Sequence, residues 1–87
     1  MKPPGVIKSI EAQKVKVGAY LMWNGRWWLV EDVVGSVETT LIMSPYEISP
    51  SDDEQLKSFE ALDGKMVKVC ELNFEHKERL QVIPWKP

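Results

Sequence analysis

The sequence predicts a mainly β domain: a small barrel of five or six short antiparallel strands with one short helix at about residues 52–62. Short runs of alternating apolar and polar residues recur between breaks rich in Gly, Pro and Ser, which is the pattern of strands joined by turns. An Asn24-Gly25 dipeptide joins two of the strongest runs. Only the segment from Ser51 to Gly64 combines helix-capping residues with helical spacing.

The chain has 87 residues, which is enough for one domain and too few for two. Hydrophobic residues make up 44% and charged residues 28%, an ordinary mixture for a folded globular protein. We therefore expect a single domain over residues 1–87. The Pro3-Pro4-Gly5 run predicts a flexible tail at 1–5, and a second flexible end is expected at 86–87.

The segment from Val15 to Val34 predicts the central β-hairpin. Asn and Gly both tolerate the positive φ that a two-residue type I′ turn requires. A three-residue turn with a bulge would swap the two faces of the second strand, so that Trp28 would point outward and Trp27 inward. The two-residue turn pairs Trp23 with Arg26, Met22 with Trp27, Leu21 with Trp28 and Tyr20 with Leu29.

This register divides the hairpin into two apolar faces, because partners on adjacent strands share a face. The core face is expected to hold Val15, Val17, Ala19, Leu21, Trp23, Trp28 and Val30. The opposite face holds Tyr20, Met22, Trp27 and Leu29, which we call the hairpin outer face. Either another part of the chain, such as the predicted helix or Trp85, covers this apolar patch, or it is a binding surface.

The predicted helix begins with a capping-box spacing of Ser51 and Glu54 and ends at Gly64. Its apolar stripe consists of Leu56, Phe59 and Leu62. In the connection before it, Ile48 is the residue expected to be buried. The remaining strands are predicted at 6–10, 37–43, 65–74 and 79–85.

Val17-Gly18-Ala19-Tyr20, Asn24-Gly25 and Trp28-Leu29-Val30 together resemble the opening hairpin of SH3-like barrels. They are most similar to the KOW-type domain that begins the elongation factor P family. The resemblance covers about twenty residues and implies an SH3-like fold. At the place of that family's basic glycine–lysine loop this chain has Glu31, Asp32, Gly35 and Ser36. The resemblance therefore implies the fold rather than a ribosomal role.

Charge is unevenly distributed, although the net charge is only −2. Residues 1–30 carry five bases and one acid, and residues 31–64 carry nine acids and one base. A basic stripe of Lys14, Lys16 and Arg26 beside tryptophans is a candidate surface for single-stranded nucleic acid. The acidic segment 47–60 is a candidate for meeting a basic partner, and otherwise provides helix N-terminal charge and solubility.

Catalytic, metal and cofactor sites are not expected. Cys70 and His76 are the only cysteine and histidine, so an internal disulfide is excluded and a metal site lacks ligands. The sequence shows neither a signal-peptide pattern nor an apolar run long enough to cross a bilayer, and we expect a cytoplasmic protein without membrane contact.

The sequence therefore predicts a non-enzymatic protein-binding module, such as an accessory subunit, an adaptor or an inhibitor. Its contact surface would be the hairpin outer face, and its partner another protein or a second copy of itself. The alternative is binding of RNA or single-stranded DNA through Lys14, Lys16 and Arg26, which would weaken with added salt.

Overall fold

The computed structural model of this chain describes residues 2–84 and contains one antiparallel sheet of seven strands. The strands are β1 (Lys8–Glu11), β2 (Tyr20–Trp23), β3 (Arg26–Gly35), β4 (Thr39–Pro45), β5 (Lys57–Glu60), β6 (Met66–Phe74) and β7 (Arg79–Ile83). Their spatial order is β1-β7-β2-β3-β4-β6-β5, with β1 and β5 at the edges. A 3₁₀ helix at Ala12–Lys14 and a single-turn helix, α1, at Asp52–Gln55 are the remaining elements of the described chain.

The predicted hairpin is confirmed with its two-residue turn and its register. Asn24 has φ 50° and Gly25 has φ 77°, the two positive angles of a type I′ turn. Leu21 lies opposite Trp28 and Tyr20 opposite Leu29, as in the predicted pairing. The alternative register with a bulge at the turn is therefore excluded.

The core lies on the predicted face of the hairpin, where Leu21, Trp28 and Val30 are buried. The prediction for Val17 and Trp23 is wrong, because they are 40% and 38% exposed. The alternation that placed Val17 inside does not extend that far, since the strand begins only at Tyr20 and Gly18 takes a positive φ of 93°. Other core side chains come from β4, β6 and β7: Leu41, Met43, Phe74, Leu80 and Val82.

The predicted helix over 52–62 is wrong in its second half. The helix ends at Gln55, and Lys57–Glu60 forms β5, paired antiparallel with β6. This strand raises the count to seven, above the expected five or six. Ser51 occupies the N-cap position without a side-chain capping bond, and Leu62, expected in the apolar stripe, is 77% exposed. Gly64, with φ 84°, lies in the β5–β6 turn rather than at a helix end.

The N-terminal segment lies against the sheet, and the flexibility expected of residues 2–5 stays a prediction. Pro3 is buried, and the Lys2 ammonium donates a hydrogen bond to the Gly5 carbonyl at 3.1 Å. A Cβ at Gly5 would overlap Ile83 Cγ2, so the backbone of this segment lies directly against β7. Met1 and residues 85–87, including the predicted cover Trp85 and the predicted flexible end, lie outside the described residues.

Candidate protein-binding surface

The hairpin outer face is only partly accessible. Tyr20, Met22 and Leu29 are half-buried, whereas Trp27 is 9% exposed. The single-turn helix α1 lies at the turn end of the hairpin, where Asp52 pairs with Arg26. Of the four predicted contact residues, Tyr20, Met22 and Leu29 therefore offer solvent-facing area, and Trp27 offers little.

Tyr46 is a member of this surface that the sequence analysis missed. Its ring meets the Tyr20 ring edge to face, with centroids 5.2 Å apart and an interplanar angle of 82°. Its backbone N–H donates to the Trp27 carbonyl at 3.0 Å, which extends the β3–β4 pairing by one residue. The alternation of side chains along β4, continued by one residue, would have placed Tyr46 on the hairpin outer face opposite Trp27. Ile48, the residue expected to be buried in this connection, is 85% exposed.

Two depressions border the tyrosine pair. One, of about 440 Å³, lies between the N-terminal segment and the end of β7, and Val6, Tyr20 and Pro84 contribute to its walls. The other, of about 180 Å³, lies between Trp27 and Tyr46 near the hairpin turn. Tyr20 and Tyr46, together with Met22 and its cross-strand partner Trp27, form a surface between these depressions that we call the aromatic strip.

A second group of aromatic contacts lies on the core face of the hairpin, next to its turn. The Trp28 indole N–H donates to the Trp23 carbonyl at 3.0 Å. The Trp23 ring meets Phe74 on β6 edge to face at 5.2 Å. This contact spans the width of β3 and β4 and shows that the sheet curls around its core.

Arg26 is committed to an ion pair inside the protein. Its Nη1 and Nη2 donate to Asp52 Oδ1 and Oδ2 at 3.0 and 3.2 Å, and Nη2 also donates to the Glu47 carbonyl at 2.7 Å. The guanidinium carbon lies 4.8 Å from the Trp28 ring centroid, within cation–π distance. The hydrogen bonds from Arg26, joined by one from the Ser49 N–H, lower the pKa of Asp52, and the Asp52 carboxylate raises the pKa of Arg26.

The three residues of the proposed nucleic-acid stripe are not equivalent in the structure. Arg26 follows the turn at one end of the hairpin, where Asp52 neutralises it. Lys14 and Lys16 precede β2 at the other end and are exposed, and Lys14 Nζ lies 3.9 Å from Glu11 Oε1. Of the acidic segment, Asp52 is 3% exposed, whereas Asp53, Glu54 and Glu60 face solvent.

Cys70 and His76 have separate surroundings. The His76 Nε2–H donates to the Ser36 carbonyl at 2.9 Å, which leaves Nδ1 to accept from the Thr39 hydroxyl at 2.8 Å. His76 therefore fastens the β3–β4 turn to the chain beyond β6. The half-buried Cys70 lies opposite Met43 in the sheet, and burial raises the pKa of its thiol.

Within residues 2–84, no group of three His, Cys, Asp or Glu side chains is placed to hold a metal ion. None of the helices in that part of the chain is long and apolar enough to span a membrane. No protein-family model, curated protein sequence or solved structure matches this chain.

Proposed function

We propose that this chain is a non-enzymatic module that binds another protein through the aromatic strip on its hairpin outer face. The observation that supports this proposal is the Tyr20–Tyr46 pair, with a mainly apolar depression on the Tyr20 side and a more polar one, lined also by Arg26 and Glu47, on the Tyr46 side. Tyrosine and tryptophan are favoured as interface anchors because they contribute large contact areas at a small cost in conformational entropy.

The strip has the form that suits an extended apolar peptide. Trp27 is 9% exposed and lies opposite Met22 on the neighbouring strand, so its ring is fixed by packing. A preorganised surface loses little entropy when a partner binds, which favours affinity for a small contact area. Grooves lined with aromatic rings are one of the recurring ways in which small β domains bind peptides.

We also propose that the sheet is a variant of the SH3-like barrel. Support comes from the successive β2–β3–β4 strands, from the bulge between Val30 and Asp32 that bends β3, and from the curl that brings Trp23 to Phe74. Strand β7 returns to pair with β2, which places the last strand beside the hairpin.

The proposal is tested by comparing two charge insertions in tagged protein used to capture partners from nuclease-treated host lysate. Met22→Glu adds a charge to the aromatic strip, and Val37→Glu adds the same charge at a residue that is 91% exposed in the β3–β4 turn. We expect a captured protein to be lost with Met22→Glu and kept with Val37→Glu, both variants having an unchanged circular dichroism spectrum.

Capture that is equal for both variants would place the contact surface elsewhere. If nucleic acid is captured from untreated lysate, is released by salt and is lost with Lys14→Glu and Lys16→Glu, the alternative function would be supported instead.

A further inference from the structure

The two edges of the sheet differ in how their outward backbone groups are used. The Ala12 N–H donates to the Glu78 carbonyl. Because the N–H and C=O groups of successive residues point to opposite sides of a strand, those of Ser9 point away from β7. Arg79 reaches around this edge, and its Nη1 donates to the Ser9 carbonyl at 3.2 Å. The outward carbonyl of Ser9 thus has a partner within the same molecule.

The β5 edge is not covered in this way. The Ala61 N–H donates to the Lys65 carbonyl at 2.8 Å. Because the direction of backbone groups alternates along a strand, the N–H and C=O of Phe59 also point toward β6, and those of Ser58 and Glu60 point outward. Both residues are exposed, and within residues 2–84 their outward N–H and C=O groups have no hydrogen-bond partner. An edge of this kind is a template for another strand.

We propose that a second copy of this chain pairs with the β5 edge, antiparallel and related by a two-fold axis at Phe59. In this register Ser58 of each copy faces Glu60 of the other. Each such pair exchanges two backbone hydrogen bonds, which uses every outward N–H and C=O group of the two residues. The two sheets become one continuous sheet, joined by a self-complementary contact.

Neighbouring registers are less favourable. A pairing centred on Ser58 satisfies only the groups of that residue in each copy. A pairing centred on Glu60 places the two glutamates directly opposite each other, which is destabilising for like charges. The length and the charge of the exposed edge therefore select the register centred on Phe59.

Charge complementarity identifies the second copy as the occupant. The Lys68 ammonium donates to the Ser58 hydroxyl at 3.2 Å and so already leans toward the open edge. Because cross-strand partners share a face, Glu60 of the second copy would lie beside Ser58 on the face of Lys68. The two-fold axis repeats this lysine–glutamate attraction, and it places the two Phe59 rings next to each other on the opposite face.

The contact is small, so we expect a dimer in equilibrium with its monomer rather than a permanent one. The test is sedimentation equilibrium of the full chain over a range of concentrations. We expect Glu60→Lys alone to weaken dimerisation about tenfold, because two cross-strand attractions become repulsions. The double variant Glu60→Lys with Lys68→Glu should restore it. Glu54→Lys, at an exposed acid of α1, should leave it unchanged.

Hydrogen exchange gives a second measurement that does not depend on a variant. The amides of Ser58 and Glu60 should become more protected as protein concentration rises, whereas the Ser9 amide at the other edge should not. A chain that stays monomeric at all concentrations would overturn the proposal. A dimer that is indifferent to Glu60→Lys would do the same. Met22→Glu should leave the dimer intact, so this proposal and the proposed function fail separately.

Discussion

Arg26 and Asp52 form a fork-to-fork ion pair between residues 26 positions apart in the sequence, with both carboxylate oxygens bonded to the guanidinium. The pair joins the turn end of the central hairpin to the first residue of α1. Asp52 also accepts the Ser49 N–H at 2.7 Å, and Arg26 binds the Glu47 carbonyl. The chain between β4 and β5 is therefore fastened to the hairpin by polar contacts around one carboxylate, in addition to the packing of Leu56 on the core.

Replacing this carboxylate should destabilise the fold. We expect Asp52→Asn to lower the free energy of unfolding by about 1–3 kcal/mol, since hydrogen bonds to charged groups contribute this much. Urea denaturation followed by tryptophan fluorescence measures the change. Asp53→Asn is the matched control, because Asp53 is exposed in the same helix. Equal unfolding midpoints for the two variants would contradict the structural role of Asp52.

The same ion pair predicts how stability depends on pH. Arg26 lowers the pKa of Asp52 in the folded state, whereas the unfolded chain keeps a value of about 3.9. The contribution of this group is therefore complete above the unfolded pKa and is lost as the pH falls from there through the lowered folded pKa. Urea midpoints measured from pH 6 to pH 2.5 should show a smaller decline for Asp52→Asn than for the unchanged chain. Parallel declines would show that Asp52 does not contribute.

The hairpin turn should be sensitive to the side chain at Gly25 for conformational reasons alone. Its φ is 77°, and a Cβ built there meets no atom within 4 Å. Gly25→Ala should cost about 1 kcal/mol, the usual penalty for an L side chain in the left-handed region. Gly35 has equal open space without a positive φ, so Gly35→Ala is the control. An equal decrease in the thermal unfolding midpoint for both variants would contradict the type I′ assignment.

The Cys70 thiol should react slowly in the folded protein. Burial raises its pKa, so less thiolate is present at neutral pH, and the thiolate is the reactive form. We expect a disulfide reagent to label Cys70 more slowly in buffer than in urea, because burial both shields the thiol and lowers its thiolate fraction. Equal rates would indicate that the thiol is freely accessible in the folded state.

Local sequence determined the central hairpin. Asn24 and Gly25 accept positive φ, and once a two-residue turn is set, the register and the two faces follow from the alternation of side chains. The same local reasoning placed Leu21, Trp28 and Val30 in the core, and the structure confirms them there. These features depend on neighbours in the chain, so they are readable without knowledge of the rest of the fold.

Tertiary structure alone decided the features that depend on distant partners. Residues 57–60 follow one helical turn, yet they form a strand because β6 offers a ladder of backbone hydrogen bonds that a short isolated helix cannot match. Likewise, the residues around Arg26 do not indicate that it pairs with Asp52, and those around Tyr46 do not indicate that its ring meets Tyr20. Such contacts arise when a folded sheet brings remote residues together, and the pattern of neighbouring residues does not encode that approach.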